Sequence, residues 1–259
     1  MATPARVVAT WHGARWLGEG WRLFRAAPLS WIALVVAYWL LMNLLVLVPL
    51  AGIVVAPVLV PAFSVSFMAA GRAAARGGPL KLDILFSGFR EQRPRMLALG
   101  AVYLACLALL LGASALFDRG ALVHSILSAE PADGAKVQAG DMVGAMLVAL
   151  TLYGPVMMMF WYAPVLVAWR GVGVAKALFF SFLACLLNWR AFLAYGAVAI
   201  LITVVAPSFA LSALLLFTGG KFPGSLESFV YPLMLIILPT LLASFYVSYR
   251  DVFGAPEGG

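Results

Sequence analysis

Hydrophobic residues form six long runs along the chain, at about residues 29–47, 51–71, 96–117, 142–169, 192–217 and 229–249. A helix rises ~1.5 Å per residue, so ~20 apolar residues are enough to cross the ~30 Å hydrocarbon core of a bilayer. The pattern therefore predicts an all-α membrane protein with six transmembrane helices.

A short segment of mixed character precedes the first, third and fifth runs. In the first segment, Leu17, Trp21 and Phe24 follow one another at helical spacing, and similar segments begin after Pro79 and after Gly171. Tryptophan and arginine side chains together suit the headgroup boundary, where one part of a side chain is wet and the other apolar. We therefore predict three kinked hairpins, each preceded by a cytoplasmic-side amphipathic interfacial helix.

Prolines recur in the second helix of each predicted hairpin, and each of these helices ends near an arginine. The prolines are Pro57 and Pro61, Pro155 and Pro164, and Pro232 and Pro239, and the arginines are Arg72, Arg170 and Arg250. Proline removes a helical hydrogen bond, so kinks are expected at all six prolines.

The repeated arrangement predicts one polytopic membrane domain over residues 1–259. Its pseudo-repeats cover about 6–76, 79–170 and 172–252, with a far-side loop at 118–141. Chance similarity among apolar helices is the alternative explanation of the repeat.

Composition and charge agree with this topology. The chain is 64% hydrophobic and only 10% charged, which excludes a soluble domain of this size. Six spans place fourteen of the 17 Lys and Arg residues on one side, which predicts a bacterial inner-membrane protein with both termini in the cytoplasm. No cleaved signal peptide is expected. Such a basic face attracts anionic phospholipid headgroups and gives no indication of nucleic-acid binding.

The leading hypothesis is a non-enzymatic protein that interacts with anionic phospholipids and with a membrane-protein partner or a second copy of itself. The residues predicted to contact headgroups or the interface are Arg15, Trp21, Arg22, Phe24, Lys81, Phe89, Arg90, Arg93 and Trp189. The alternative for these residues is a role in topology and anchoring alone.

Polar side chains inside the predicted spans are few. No ionisable residue lies near the middle of any span, and the candidates for a pathway or a packing role are Asn43, Ser64, Thr151 and Thr240. Asn43 is expected to bond to a neighbouring helix. A continuous polar cleft joining these four side chains would favour the alternative function, that of a permease, flippase or channel-like protein.

The sequence predicts no catalytic, cofactor-binding or metal-binding residues. Cys106 and Cys185 fall in apolar segments and are expected to be packing residues. A lipid-modifying enzyme would need a convergent cluster at the interface, for which Asp83, Glu91 and Asp251 with His12 are the main candidates. We therefore predict that the protein is not an enzyme.

Four motifs carry a resemblance to a known family: "GWRLFRAAPLSW", "LFSGFR", "YAPVLVAWRG" and "SFYVSYRDVF". The chain resembles an uncharacterised family of proteobacterial multi-pass inner-membrane proteins over most of its length except the loop 118–141. It is more distantly similar to the membrane region that accompanies some glycerophosphodiester phosphodiesterases. The resemblance implies an inner-membrane location and six spans, and it supplies no catalytic residues.

Overall fold

A computed structural model describes residues 5–48, 51–118, 120, 123–124, 139–219 and 226–254. All regular secondary structure in these segments is helical. The α-helices are α1 (His12–Ala26), α2 (Pro28–Val46), α3 (Ala51–Ala75), α4 (Arg93–Asp118), α5 (Ala139–Arg170), α6 (Val174–Leu187), α7 (Trp189–Ile200), α8 (Ala206–Phe217) and α9 (Leu226–Phe253). A 3₁₀ helix covers Leu82–Phe89, and a π-helical turn, Leu201–Val205, joins α7 to α8.

These helices form six spans that are long and apolar enough to cross a membrane, which confirms the six predicted spans. The spans are Pro28–Leu45, Gly52–Ala75, Arg93–Leu116, Met146–Arg170, Trp189–Phe217 and Val230–Phe253. The fifth span is composite, because it contains α7, the π-helical turn and α8. The predicted far-side loop at 118–141 lies largely outside the described residues.

The second spans, α3, α5 and α9, end in the same way. Each has an arginine in its last turn, where a positive charge favours the negative end of the helix dipole. A glycine with positive φ lies one or two residues after the end of each helix and turns the chain away, as is common after helices. The pairs are Arg72 with Gly77, Arg170 with Gly171, and Arg250 with Gly254.

Three leading segments, α1, the 3₁₀ helix and α6, each precede a pair of spans. The 3₁₀ helix packs on α3 and α6 packs on α5, so each lies against the second span of the preceding pair. Helix α1 has no preceding pair and packs on α9, the second span of the last pair. The packing of the three segments therefore closes into a ring.

The second leading segment differs from the predicted amphipathic α-helix, since Leu82–Phe89 is a 3₁₀ helix. In this geometry every third residue lies on the same side, which brings Leu85 and Gly88 together as the buried positions. Gly88 fits against α3, where an added Cβ would lie 2.0 Å from the carbonyl oxygen of Ala62. Its amide donates to Ser66 Oγ at 3.0 Å, which fixes the short helix to the span.

The predicted kinks stay predictions, because α3, α5 and α9 each continue as α-helix through their two prolines. The departure from α-helical geometry occurs in the fifth span instead, at Leu201–Val205. Pro207 follows that turn and lacks the amide that an α-helix would use there. This proline was not among the predicted kink positions.

Asn188 holds the junction between α6 and α7. Its side chain accepts from the amide of Val8 at 2.8 Å and donates to the carbonyls of Arg6 and Ala184 at 3.0 and 2.9 Å. Asn188 is 2% exposed, and these bonds satisfy its buried amide group. The extended segment before α1 is thereby fixed to the body of the protein.

Candidate functional site

The ends of α3, α5 and α9 meet at what we call the arginine-rich end. Arg72 lies 4.5 Å from the ring of Trp169, and that ring packs edge-on against Tyr249 at 5.4 Å between centroids. Arg170 donates to the hydroxyl of Tyr249 at 3.0 Å and to the carbonyl of Phe253 at 2.7 Å. Arginine and aromatic side chains thus join the three second spans.

Glu19 of α1 is the centre of an ion-pair cluster at this end. It accepts from Arg15 at 2.6 Å and from Arg250 of α9 at 2.5 Å, and Arg22 lies 3.4 Å away. Glu19 is 9% exposed. Burial raises the pKa of Glu19, but the hydrogen bonds and charges of Arg250 and Arg15 outweigh it, so that its pKa lies below the usual value.

Asp251 forms a second polar contact between α1 and α9. Its Oδ2 atom accepts from Trp16 Nε1 at 3.0 Å and lies 2.9 Å from His12 Nδ1. Its other oxygen lies 3.9 Å from Arg250, which connects this contact to the Glu19 cluster. Three positions on successive turns of α1 are therefore bound to two adjacent residues of α9.

The cluster contains some of the residues that an enzyme at the interface would need. His12 and Asp251 converge, whereas Asp83 and Glu91 are exposed residues near the 3₁₀ helix. Among the described residues, no group of three or more His, Cys, Asp or Glu side chains is arranged to hold a metal ion. The contact between His12 and Asp251 connects α1 to α9.

Most of the predicted interface residues are exposed or partly exposed. The exposed ones are Arg15, Trp21, Arg22, Lys81, Arg90, Arg93 and Trp189, and Phe89 is partly buried. Phe24 differs, since it is only 5% exposed and packs in a buried cluster with Trp31 and Leu34. Its ring faces α2 and α3, which corrects the prediction that it contacts headgroups.

The four polar candidates for a pathway bond within their own helices. Asn43 donates to the carbonyl of Trp39 at 2.8 Å rather than to the neighbouring helix expected from the sequence. Thr151 donates to Leu147, Ser64 to Pro61 and Thr240 to Ile236, each within one turn. Ser64 and Thr240 line two separate apolar clefts of ≈ 200 and ≈ 400 Å³. These side chains do not join into one polar cleft among the described residues.

The sequence contains partial signals for this site. Arg15, Glu19 and Arg22 follow one another at helical spacing, and the helix face that they share carries the cluster. The contacts of His12 and Trp16 with Asp251 join residues more than 230 positions apart, so no local pattern could indicate them. The three span-ending arginines were noted from the sequence, but their aromatic partners were not.

Comparisons with known proteins agree with this architecture. No family model matches the chain, and no solved structure matches it. The chain is 38% identical over 253 residues to a "Probable inner membrane protein" of Burkholderia thailandensis, an alignment that covers 95% of this chain and 93% of the relative. Nothing in these comparisons concerns the phosphodiesterase-associated membrane regions. The chain thus belongs to the family of this inner-membrane protein, and it is a multi-pass membrane protein with six apolar spans.

Proposed function

We propose that the protein is a non-enzymatic inner-membrane component that binds anionic phospholipid headgroups at its arginine-rich end, and that this end faces the cytoplasm. The observation that carries the proposal is the pairing of arginine with tryptophan at exposed positions. Arg25 lies 6.0 Å from the ring of Trp21, and Arg190 lies 5.4 Å from the ring of Trp189. Such pairs present a positive charge and an apolar ring to the same surface, which suits the headgroup boundary.

The lengths of the second spans support an interfacial position for the leading segments. Helix α5 has 32 residues and α9 has 28, which correspond to roughly 48 and 42 Å at 1.5 Å per residue. Both exceed the ~30 Å hydrocarbon core, so their ends extend ~10 Å or more beyond it. Helix α1 packs on α9 and helix α6 packs on α5, so both of these leading segments lie along spans that are longer than the hydrocarbon core.

The charges of α1 support a division of roles among its arginines. Arg250 of α9 donates to Glu19 at 2.5 Å and attaches α9 to α1, while Arg15 donates to the same carboxylate at 2.6 Å from within α1. Arg22 has a side-chain exposure of 69% and lies farther from Glu19, at 3.4 Å. Arg22 and Arg25 therefore present their charge outward and can attract anionic lipid, for which each basic residue contributes ~1 kcal/mol near a membrane surface.

Native mass spectrometry of protein extracted from bilayers of equal phosphatidylglycerol and phosphatidylethanolamine content tests the proposal. We expect phosphatidylglycerol to be enriched among the retained lipids. The triple variant Arg22→Gln, Arg25→Gln, Arg190→Gln should lose most of that enrichment, by roughly tenfold or more, since three charges are removed.

The matched control is the triple variant Arg119→Gln, Lys136→Gln, Lys221→Gln. It removes the same charge from the opposite predicted side and should keep the enrichment. An equal loss in both variants would show that only net charge matters, and an unchanged first variant would refute recognition at the arginine-rich end.

A permease, flippase or channel-like role is the second candidate. The observation that favours it is the π-helical turn Leu201–Val205, because interruptions in spanning helices occur at transport pathways. Movement of fluorescent phospholipid across vesicles containing the protein tests this role. A rate equal to that of protein-free vesicles would argue against it.

Partner binding is a further part of the proposal. None of the residues of α8 is buried, although α8 lies within a span. A membrane-protein partner or a second copy could cover it, and the same native mass spectra report the oligomeric state directly.

A further inference from the structure

An apolar cleft of ≈ 400 Å³ opens between α1, the fifth span and α9. Leu17, Gly18 and Trp21 of α1 form one wall. The residues from Val198 to Thr203 form the second wall, and those from Ile236 to Leu241 form the third. The cleft is therefore bounded by the first leading segment and by both members of the last pair of spans.

The cleft exists because the fifth span and α9 separate. They meet at the hydrogen bond between Tyr195 and Ser244, whose oxygens are 2.9 Å apart. Beyond this contact the fifth span passes into its π-helical turn, and no residue of α8, which follows the turn, is buried. Helix α1 covers the gap near the arginine-rich end, and Gly18 leaves space there because an added Cβ would meet nothing within 4 Å.

We propose that this cleft holds one acyl chain of an anionic phospholipid whose headgroup lies against Arg22 and Arg25. The proposal rests on the proposed function, and it adds the place where the lipid tail binds. Two walls of the cleft belong to membrane spans, so the cleft opens toward acyl chains. Its lining is predominantly apolar, which suits a hydrocarbon chain and offers a water molecule few partners.

Size distinguishes an acyl chain from a helix of a partner protein. The volume of ≈ 400 Å³ falls within the ~300–1,000 Å³ typical of small-molecule sites. A partner helix ~10 Å across would fill that volume within roughly one turn. A single flexible chain fits such a narrow space, whereas a second protein segment does not.

Charge places the headgroup at one end of the cleft. Arg22 follows Gly18 by four residues and Arg25 follows Trp21 by four residues, so each arginine lies one turn farther along the face of α1 that lines the cleft. Both arginines are exposed. A phosphate bound there would have its glycerol and one chain directed toward Gly18.

The variant Gly18→Leu tests the site, because Gly18 lines the cleft and an added Cβ there would meet nothing within 4 Å. We expect native mass spectra from the same mixed bilayers to show one retained phospholipid fewer per protein than the wild type. The matched control is Gly112→Leu on α4, an exposed helical glycine that also has nothing within 4 Å of an added Cβ. It should retain the wild-type number of lipids and gain the same helix propensity.

The outcomes separate the cleft from the wider proposal. If Gly18→Leu keeps every lipid while phosphatidylglycerol is enriched, acyl-chain binding in the cleft is refuted and headgroup recognition stands. If Gly18→Leu loses one lipid but the wild type shows no enrichment, the headgroup contact and the proposed function are refuted. A change in oligomeric state without loss of lipid would show that protein occupies the cleft. Should Gly18→Leu fail to fold, Ala14→Leu fills the same cleft from the preceding turn.

Discussion

The third and fifth spans are almost equally apolar, yet they pack very differently. Their mean hydropathies are 2.3 and 2.4, but 17% of the 18-residue apolar stretch of the third span is buried and none of that of the fifth. In the third span, Gly100 of α4 lets the carbonyl of Val58 approach to 2.2 Å from where a Cβ would stand. Small residues allow such close approach between membrane helices, so residue size rather than hydropathy decides the packing here.

The third span packs directly on its neighbour α3, whereas the fifth span is connected to α9 largely through α1, which packs on both. Trp16 is fully buried and packs edge-on against Phe192 of α7 at 5.4 Å, while its ring nitrogen donates to Asp251 of α9. Gly13 approaches the carbonyl of Ala191 closely as well. The last pair of spans is thus joined through a segment from the other end of the sequence.

The largest expected effect comes from Trp16→Ala, which removes this connection. Loss of a large buried aromatic side chain costs about 3–5 kcal/mol, and the ring nitrogen's bond to Asp251 is lost with it. The midpoint of unfolding in detergent, followed by circular dichroism, should fall strongly. Trp11→Ala is the control, since Trp11 is 59% exposed and its loss should change stability little. Equal effects would contradict the role given to Trp16.

A second test compares helical glycines in the two spans. Gly100→Leu should destabilise by about 1–3 kcal/mol or more, because its side chain would overlap the backbone of α3. Gly196→Leu on α7 has open space around it and should be neutral or slightly stabilising through helix propensity. Thermal unfolding of the two variants side by side checks this. Equal unfolding temperatures for the two variants would contradict the claim that close packing at Gly100 distinguishes the third span from the fifth.

A third test concerns Glu19, whose pKa is lower in the folded protein than the unfolded value of ~4.3. Its stabilising contribution is therefore complete above that value and is lost as the pH falls through the lower folded pKa. Glu19→Gln should reduce stability at neutral pH by about 1–2 kcal/mol, because a charge-assisted bond to Arg250 is weakened near a partly exposed surface. The stability of the variant should also change less than that of the wild type as the pH falls below ~4.3.

Glu91→Gln is the control for this experiment, because Glu91 is exposed. Unfolding measured between neutral pH and pH ~3 should show wild-type behaviour for the control. If Glu19→Gln kept the full acid sensitivity of the wild type, another carboxyl group would be responsible.

The smallest effect is expected for Pro207→Ala. The new amide can bond to the carbonyl of Thr203, which would convert the π-helical turn towards a regular α-helix. Stability should change by about 1 kcal/mol or less, while amide hydrogen exchange over residues 201–211 slows. Pro232→Ala in α9 adds the same amide where the helix is already regular, so exchange in that segment should slow less.

The sequence was sufficient for the spans and insufficient for their contacts. Apolar length predicted all six spans, and Arg15 and Glu19 are four residues apart, the spacing at which two side chains of one helix can form an ion pair. Which leading segment packs on which span depends on residues far apart in the chain, such as Trp16 and Asp251. The sequence held signals for two features that were not predicted: Pro207 follows the π-helical turn, and Asn43 could bond within its own helix.

Because α1 packs on the last pair of spans, the ring of leading segments can close only late in the synthesis of the protein. Helix α1 is synthesised before the other helices, yet its main partners are α7 and α9, which belong to the last pair of spans. Until α9 has inserted, Trp16 and Glu19 lack their contacts with Asp251 and Arg250, so α1 stays incompletely packed while the first five spans insert. A chain that stops before α9 leaves these side chains uncovered, a difference that membrane proteases and chaperones can recognise in an unfinished chain.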